Sequence, residues 1–284
     1  MFNASKYIKS DKLDLFKKFM ASDIITVESL YGDQSFEDLL LTTTGRYRSL
    51  LSVPSNKFDI ENGYVSIVHY LAPSNTVRGL NVCRFATLGC HQNCLAFQGR
   101  LQLHVNESYT KKTIALYLYP ERYLVELLNQ FYLLCVKYQL QGKHVYLRMN
   151  GLSDLPFHQI LDLHALYKDI PNLLGFYDYT KKPVNDTKAF YDVTYSWNER
   201  STIQIASRFD SVAYVLNKKD VKRLLSEYPS VFVSGDHSDI RPTDNRRHVL
   251  LSFKGKNTVN DFVLSYDELI EIVKPSQLQG VNHV

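Results

Sequence analysis

Apolar residues in the second half of the chain fall into short runs rich in β-branched and aromatic side chains, separated by stretches with a helical period. The run at 63–71, Gly-Tyr-Val-Ser-Ile-Val-His-Tyr-Leu, reads as a strand that stops before Pro73, and 76–82 reads as a second one. Residues 113–119 read as a strand. Pro120-Glu121 then opens a helix to about residue 141, with a proline and an acid in its first turn and Gly142 just past its end. Further strands are expected at 144–149, 172–177, 191–196, 211–216, 230–234 and 248–253, with helices at 156–169, near 199–207 and at 218–228. Strands alternating with helices predict βαβ units, so the expected fold class is α/β with a mainly parallel sheet. Before residue 63 the periodicity is poor. An irregular N-terminal portion, 1–62, is expected ahead of a (β/α) domain, 63–284.

The residues that follow each strand are polar: Asn150, Ser153 and Asp154; Asp178, Thr180 and Lys181; Ser196, Asn198 and Glu199; Asp236, His237 and Asp239; Lys254 and Lys256. In parallel α/β sheets the carboxyl ends of the strands share one face, and ligands bind there. Asn150-Gly151-Leu152-Ser153-Asp154 also suits the cap of a following helix. Tyr177 to Lys182 sets two tyrosines, an acid and two lysines at a strand end, a composition suited to a base or an anion, or to packing tyrosines beside solvated lysines. Asp236 to Asp244 holds three carboxylates in nine residues, fit for a divalent cation or a ribose, or for an Asx-turn loop with an internal Asp–Arg pair.

The densest chemistry lies before the regular part. Cys83, Cys90 and Cys94 stand six and then three residues apart, with His91 beside the second, in a chain of only four cysteines. Thiols this concentrated suggest an iron–sulfur cluster with one iron left open. A structural zinc, completed by His91 or by a residue elsewhere, is the alternative donor set, and three plain buried cysteines are a third reading. Cys135 falls in an apolar helical pattern and reads as core. Gly89 and Gly99 read as backbone-geometry positions, since no phosphate-loop spacing surrounds them.

Composition narrows this only a little. A hydrophobic fraction of 45% and a charged fraction of 22% exclude wholesale disorder, and a net charge of +4 permits nucleic-acid contact without arguing for it. The 20 tyrosines and 15 phenylalanines supply stacking surfaces or core equally well. The N-terminus has no apolar signal core and no run is long enough to span a bilayer, so a cytoplasmic protein with no membrane partner is expected. In a reducing compartment, three clustered cysteines point to a metal or to catalysis more than to disulfides.

Five motifs in order carry a resemblance: the cysteine loop, Asn150 to Asp154, Phe176 to Lys181, Tyr191 to Ser196, and Gly235 to Arg241. Together they resemble the phage-encoded proteins labelled gene product eighty-eight-like, over about residues 76–260, a likeness that brings no activity with it. More distantly, the three-cysteine loop after an early strand is similar to the radical S-adenosylmethionine (SAM) superfamily. That resemblance implies a partial or full (β/α) barrel, a 4Fe-4S cluster on Cys83, Cys90 and Cys94, and S-adenosyl-L-methionine on the open iron. The superfamily's usual spacing is three then two, and no Gly-Gly-Glu segment follows 113–119 here.

The leading expectation is therefore an iron–sulfur, radical-SAM-like phage enzyme acting on a small-molecule or nucleic-acid substrate held at the strand ends. Asp154, Asp178, Lys181, Asp236 and Asp239 are its candidate catalytic residues; Asn150, Ser153 and Ser196 its candidate cofactor contacts; and Cys83, Cys90 and Cys94 its metal ligands. A second expectation is a phage nucleic-acid-binding or regulatory protein with a structural metal. A third is a divalent-metal-dependent nuclease centred on Asp236, Asp239 and Asp244.

Overall fold

The computed structural model describes residues 2–42, 44–54, 63–97, 105–238, 240–244, 248–255 and 262–273. Its centre is an eight-stranded sheet: β1 (Leu51–Ser52), β2 (Tyr64–His69), β3 (His144–Arg148), β4 (Leu173–Thr180), β5 (Tyr191–Ser196), β6 (Ser211–Leu216), β7 (Phe232–Ser234) and β8 (His248–Ser252). The spatial order is β1-β2-β3-β4-β5-β6-β8-β7, and every pairing is parallel except β1 with β2. The expected α/β class with a mainly parallel sheet is thus present. Among the described residues β1 and β7 pair with no partner beyond their one neighbour, so the sheet is open.

Eleven helices are described. They are α1 (Leu13–Met20), α2 (Ile24–Tyr31), α3 (Phe36–Leu40), α4 (Leu88–Gln92), α5 (Thr110–Leu118), α6 (Pro120–Gln139), α7 (Phe157–Ile160), α8 (Leu163–Asp169), α9 (Ile203–Ala206), α10 (Lys218–Glu227) and α11 (Tyr266–Val273). Two are built at their starts as sequence rules require. Pro120 occupies the first turn of α6, and α3 carries a reciprocal Ser35–Asp38 capping box.

Three sequence expectations are corrected. Residues 113–119 form most of α5: Lys112 to Tyr117 are all buried, so the segment is surrounded on every side and shows no amphipathic period that would mark it as helix. Residues 76–82 are not a strand but a turn-rich crossing, touching other backbone only through the Ala21–Leu80 bridge and single bonds such as Val82 N–H to Ser74 C=O. The helix expected at 156–169 is two, because Leu161 leaves the helical path to bridge Ile8 and Asp162 then caps α8.

The strands alternate between two unlike faces. Val65, Ile67, Val145, Leu147, Phe176, Val193, Tyr195, Val212 and Tyr214 enter the main apolar core, which runs from Ala4 to Val273 and packs the helices. The opposite face carries Ser66, Tyr146 and Tyr177, joined by Ile240 in a small separate cluster, and Thr194. There the Ser66 and Tyr177 hydroxyls share a 2.6 Å hydrogen bond. Segment 240–244 lies over this second face, where Arg241 is buried and pairs with Asp244 at 2.9 Å. One face is thus a hydrophobic core and the other is lined with hydroxyls and charge.

Candidate functional site

The cysteine loop leaves the carboxyl end of β2 and is tied back to the ends of β3 and β5. Thr87 caps α4 by accepting the Cys90 N–H. Glu199, in the loop after β5, closes the same helix end from the other side: Thr87 donates its hydroxyl and Gly89 its N–H to the two carboxylate oxygens, each at 2.5 Å. Burial alone would raise the Glu199 carboxyl, but the Thr87 hydroxyl and the backbone N–H groups of Glu199 and Gly89 together hold it below its ordinary range. Gly89 is required there, since a Cβ would sit 2.6 Å from the Glu199 oxygen.

Cys83 is pinned more tightly. Its Sγ accepts the Ser74 N–H and its thiol donates to Leu152 C=O in the loop after β3, both at 3.2 Å. Burial pushes the Cys83 thiol strongly up and the Cys94 thiol up, while Lys181 pulls the latter the other way. Each of these two thiols also feels Cys90, and Cys83 feels Cys94. The three sulfurs therefore form one electrostatic group. Among the described residues, however, no group of three or more His, Cys, Asp or Glu side chains stands in an arrangement that could hold a metal ion.

Ser74 has φ of 53°, the only non-glycine in the left-handed region among the described residues. Such a conformation costs on the order of 1–3 kcal/mol and persists where the surroundings over-determine it. Here its N–H meets Cys83 and its hydroxyl lies 2.8 Å from the His91 ring. The strain is held at the cysteine loop. His91 thus leans on Ser74, and nothing in Pro73-Ser74-Asn75 marks that serine from sequence alone.

The polar strand ends form a connected chain. Asn150 donates its backbone N–H to Asp178 at 2.7 Å and its amide to the second oxygen at 3.0 Å, while its own carbonyl accepts from Ser153 and from the Leu155 N–H. Tyr191 adds a third donor to Asp178 at 3.1 Å. Burial nevertheless raises the Asp178 carboxyl to about 7. Asp154, half-buried and raised by desolvation, accepts from the Thr180 hydroxyl at 2.8 Å and the Lys181 N–H at 3.0 Å. Lys181 in turn donates to Ser196 at 3.1 Å.

Asn150, Ser153, Asp154 and Asp178 are therefore engaged within the turn that joins β3 to β4, and Lys181 and Ser196 are the pair that reaches toward the cysteines. By strand alternation both extend the hydroxyl-lined face. Asp236 stands apart at the β7–β8 end, exposed, accepting the Ser252 N–H at 3.2 Å. Asp244 is turned inward to Arg241, and burial raises its carboxyl to about 6. Asp239 and Lys256 lie outside the described residues. Glu199 and Ser74 complete the site without having been singled out by a motif; Glu199 carried one signal, its place just after a strand.

No described helix is long and apolar enough to cross a membrane. A family model described as Gene product 88 matches residues 41–264, a stretch that holds all five of the motifs noted in the sequence. No curated protein and no solved structure matches the chain, and the more distant resemblance to the radical SAM superfamily gains no support from these comparisons.

Proposed function

The chain belongs to the Gene product 88 family, and from that premise we propose that it is a phage iron–sulfur enzyme of the host cytoplasm, its cluster held by Cys83, Cys90 and Cys94. The observation that carries this reading is the arrangement of the three thiols. All three stand in one loop that leaves the carboxyl end of β2, and the Cys83 and Cys94 thiols are each within electrostatic reach of Cys90. In a 4Fe-4S cluster three cysteines each bind a different iron and leave the fourth iron open, whereas a structural zinc takes four protein ligands. The strand order supports a partial (β/α) barrel, because β2 to β6 are neighbours in both sequence and space.

A cluster held by Cys83, Cys90 and Cys94 would supply one-electron reducing chemistry toward S-adenosylmethionine bound at its open iron. The chain's own residues do the rest. Ser74 and Leu152 orient Cys83. Glu199 fixes the start of α4 and with it the position of Cys90. Lys181, whose charge reaches Cys94, offers a cation to an anionic group of cofactor or substrate, and Ser196 keeps a free O–H to donate after accepting from Lys181. Asp154 is a positioning residue that sets the Lys181 backbone. Tyr177 and Thr194, fully buried on the same face, support these groups from within, and Tyr179 is half-buried beneath the Arg148 guanidinium.

Anaerobic purification with an absorbance spectrum and iron, sulfide and zinc analysis tests the reading. About four irons and four sulfides per chain are expected, lost in Cys83→Ser, Cys90→Ser and Cys94→Ser and kept in Cys135→Ser, each checked for folding by circular dichroism. Colourless protein with one zinc overturns it in favour of a structural site. Formation of 5′-deoxyadenosine from S-adenosylmethionine under reducing conditions tests the cofactor separately.

A further inference from the structure

A cavity of about 400 Å³ lies on the other face of the sheet, between α1, the α7 segment and the ends of β4 and β5. Its walls are aromatic and apolar where Phe16, Phe19, Phe85 and Leu155 meet. The volume is that of a site for one small molecule rather than a strand or a peptide. Three acids border it and all are spoken for: Asp154 and Asp178 by the turn described above, and Asp186 by Lys182 at 2.8 Å. His158 is not. Its Nε2 lies 3.7 Å from Asp186, while Nδ1 is buried with no hydrogen-bond partner, a costly arrangement in an empty protein. Lys12, just before α1, and Lys18, within it, place two cations on the same lining, Lys12 paired at 3.0 Å with exposed Asp11.

We propose that this cavity binds one nucleoside monophosphate, its base among Phe16, Phe19 and Phe85 with His158 Nδ1 as polar contact, and its phosphate at Lys12 and Lys18. Aromatic walls favour a flat heterocycle, since every base has a face to stack. An orphaned ring nitrogen supplies the single polar contact that orients it, and neither cation is committed to a buried partner. The site is independent of the cysteine loop's chemistry, although Phe85 belongs to that loop.

Isothermal titration of the purified full chain with AMP, GMP, CMP and UMP tests this, with adenosine, guanosine and inorganic phosphate as separate arms. One-to-one binding of at least one nucleotide is expected, with its nucleoside about tenfold weaker and phosphate alone weaker still. His158→Leu lowers nucleotide affinity about tenfold, and Lys18→Gln lowers it for the nucleotide but not for the nucleoside. Lys6→Gln, remote on the surface, leaves it unchanged. Absence of binding by all four nucleotides overturns the proposal. So does binding that survives His158→Leu and Phe19→Ala in protein that circular dichroism shows to be folded, because the ligand then sits elsewhere.

Discussion

Replacing Asp178 with asparagine reverses the order of stability of the two proteins between mildly acid and mildly alkaline pH. Asp178 is buried and its carboxyl sits at about 7 rather than the ordinary 3.8. A carboxyl raised in the fold binds its proton more tightly there than in the unfolded chain. Its contribution is complete below the unfolded value and is lost as pH climbs through the folded one. Between about pH 4 and pH 7 this group alone lowers the unfolding free energy by about 1.4 kcal/mol per pH unit, some 4 kcal/mol at most. In the acid form Asp178 donates to Tyr191 and accepts from Asn150. An asparagine keeps the carbonyl for the Asn150 N–H but turns an amide donor toward the Asn150 amide, a mismatch that costs about 1–3 kcal/mol. Asp178→Asn is therefore less stable than the wild type at pH 4 and more stable at pH 8, with curves that cross between about pH 4.5 and about pH 6. Urea unfolding at half-unit pH steps measures both curves, and Asp154 and Asp244 titrate in each, so the difference isolates Asp178. Parallel curves would refute the reasoning and show that its three donors keep Asp178 ionised throughout.

Three further outcomes follow from particular contacts. Glu199→Gln removes one of two charge-assisted bonds at the start of α4, and the amides of 87–92 should exchange with deuterium about ten times faster with little change in global stability. Lys112 is buried and donates to Leu50 C=O, and burial lowers its ammonium to about 8. Lys112→Met should raise the melting temperature at pH 7, by about 1–3 kcal/mol in stability, an advantage that shrinks above pH 8 as the wild-type lysine is already neutral there. Gly151→Ala places a methyl 2.4 Å from the Tyr70 ring and 2.8 Å from His69 C=O, so a loss of about 1–3 kcal/mol is expected in urea unfolding.

The strands of the regular half were legible because each is a short apolar run closed by turn residues: 191–196 and 211–216 coincide with β5 and β6. α5 was not, since Thr113-Ile114-Ala115-Leu116-Tyr117 has the β-branched and aromatic content of a strand and is buried all round. The break at Leu161 depended on Ile8, more than 150 positions earlier, and no local pattern records such a partner. The candidate site divides in the same way. Residue types at strand ends could be read, and so could the thiol cluster. What could not be read was which groups spend their hydrogen bonds on each other: Asn150 and Asp178 look as available in sequence as Lys181 and Ser196, yet the first pair is consumed by a turn. Glu199 reaches the cysteine loop across 110 positions, a relation that only folding creates.

The two margins of the sheet are its shortest parts, two residues in β1 and three in β7. A long unpaired ladder is the surface on which one chain templates another. Here the six interior strands carry nearly all of the backbone pairing, and either flank offers a neighbour only a stub. An open parallel sheet of this width can thus be made in quantity inside a crowded cell with little risk that copies zip together edge to edge.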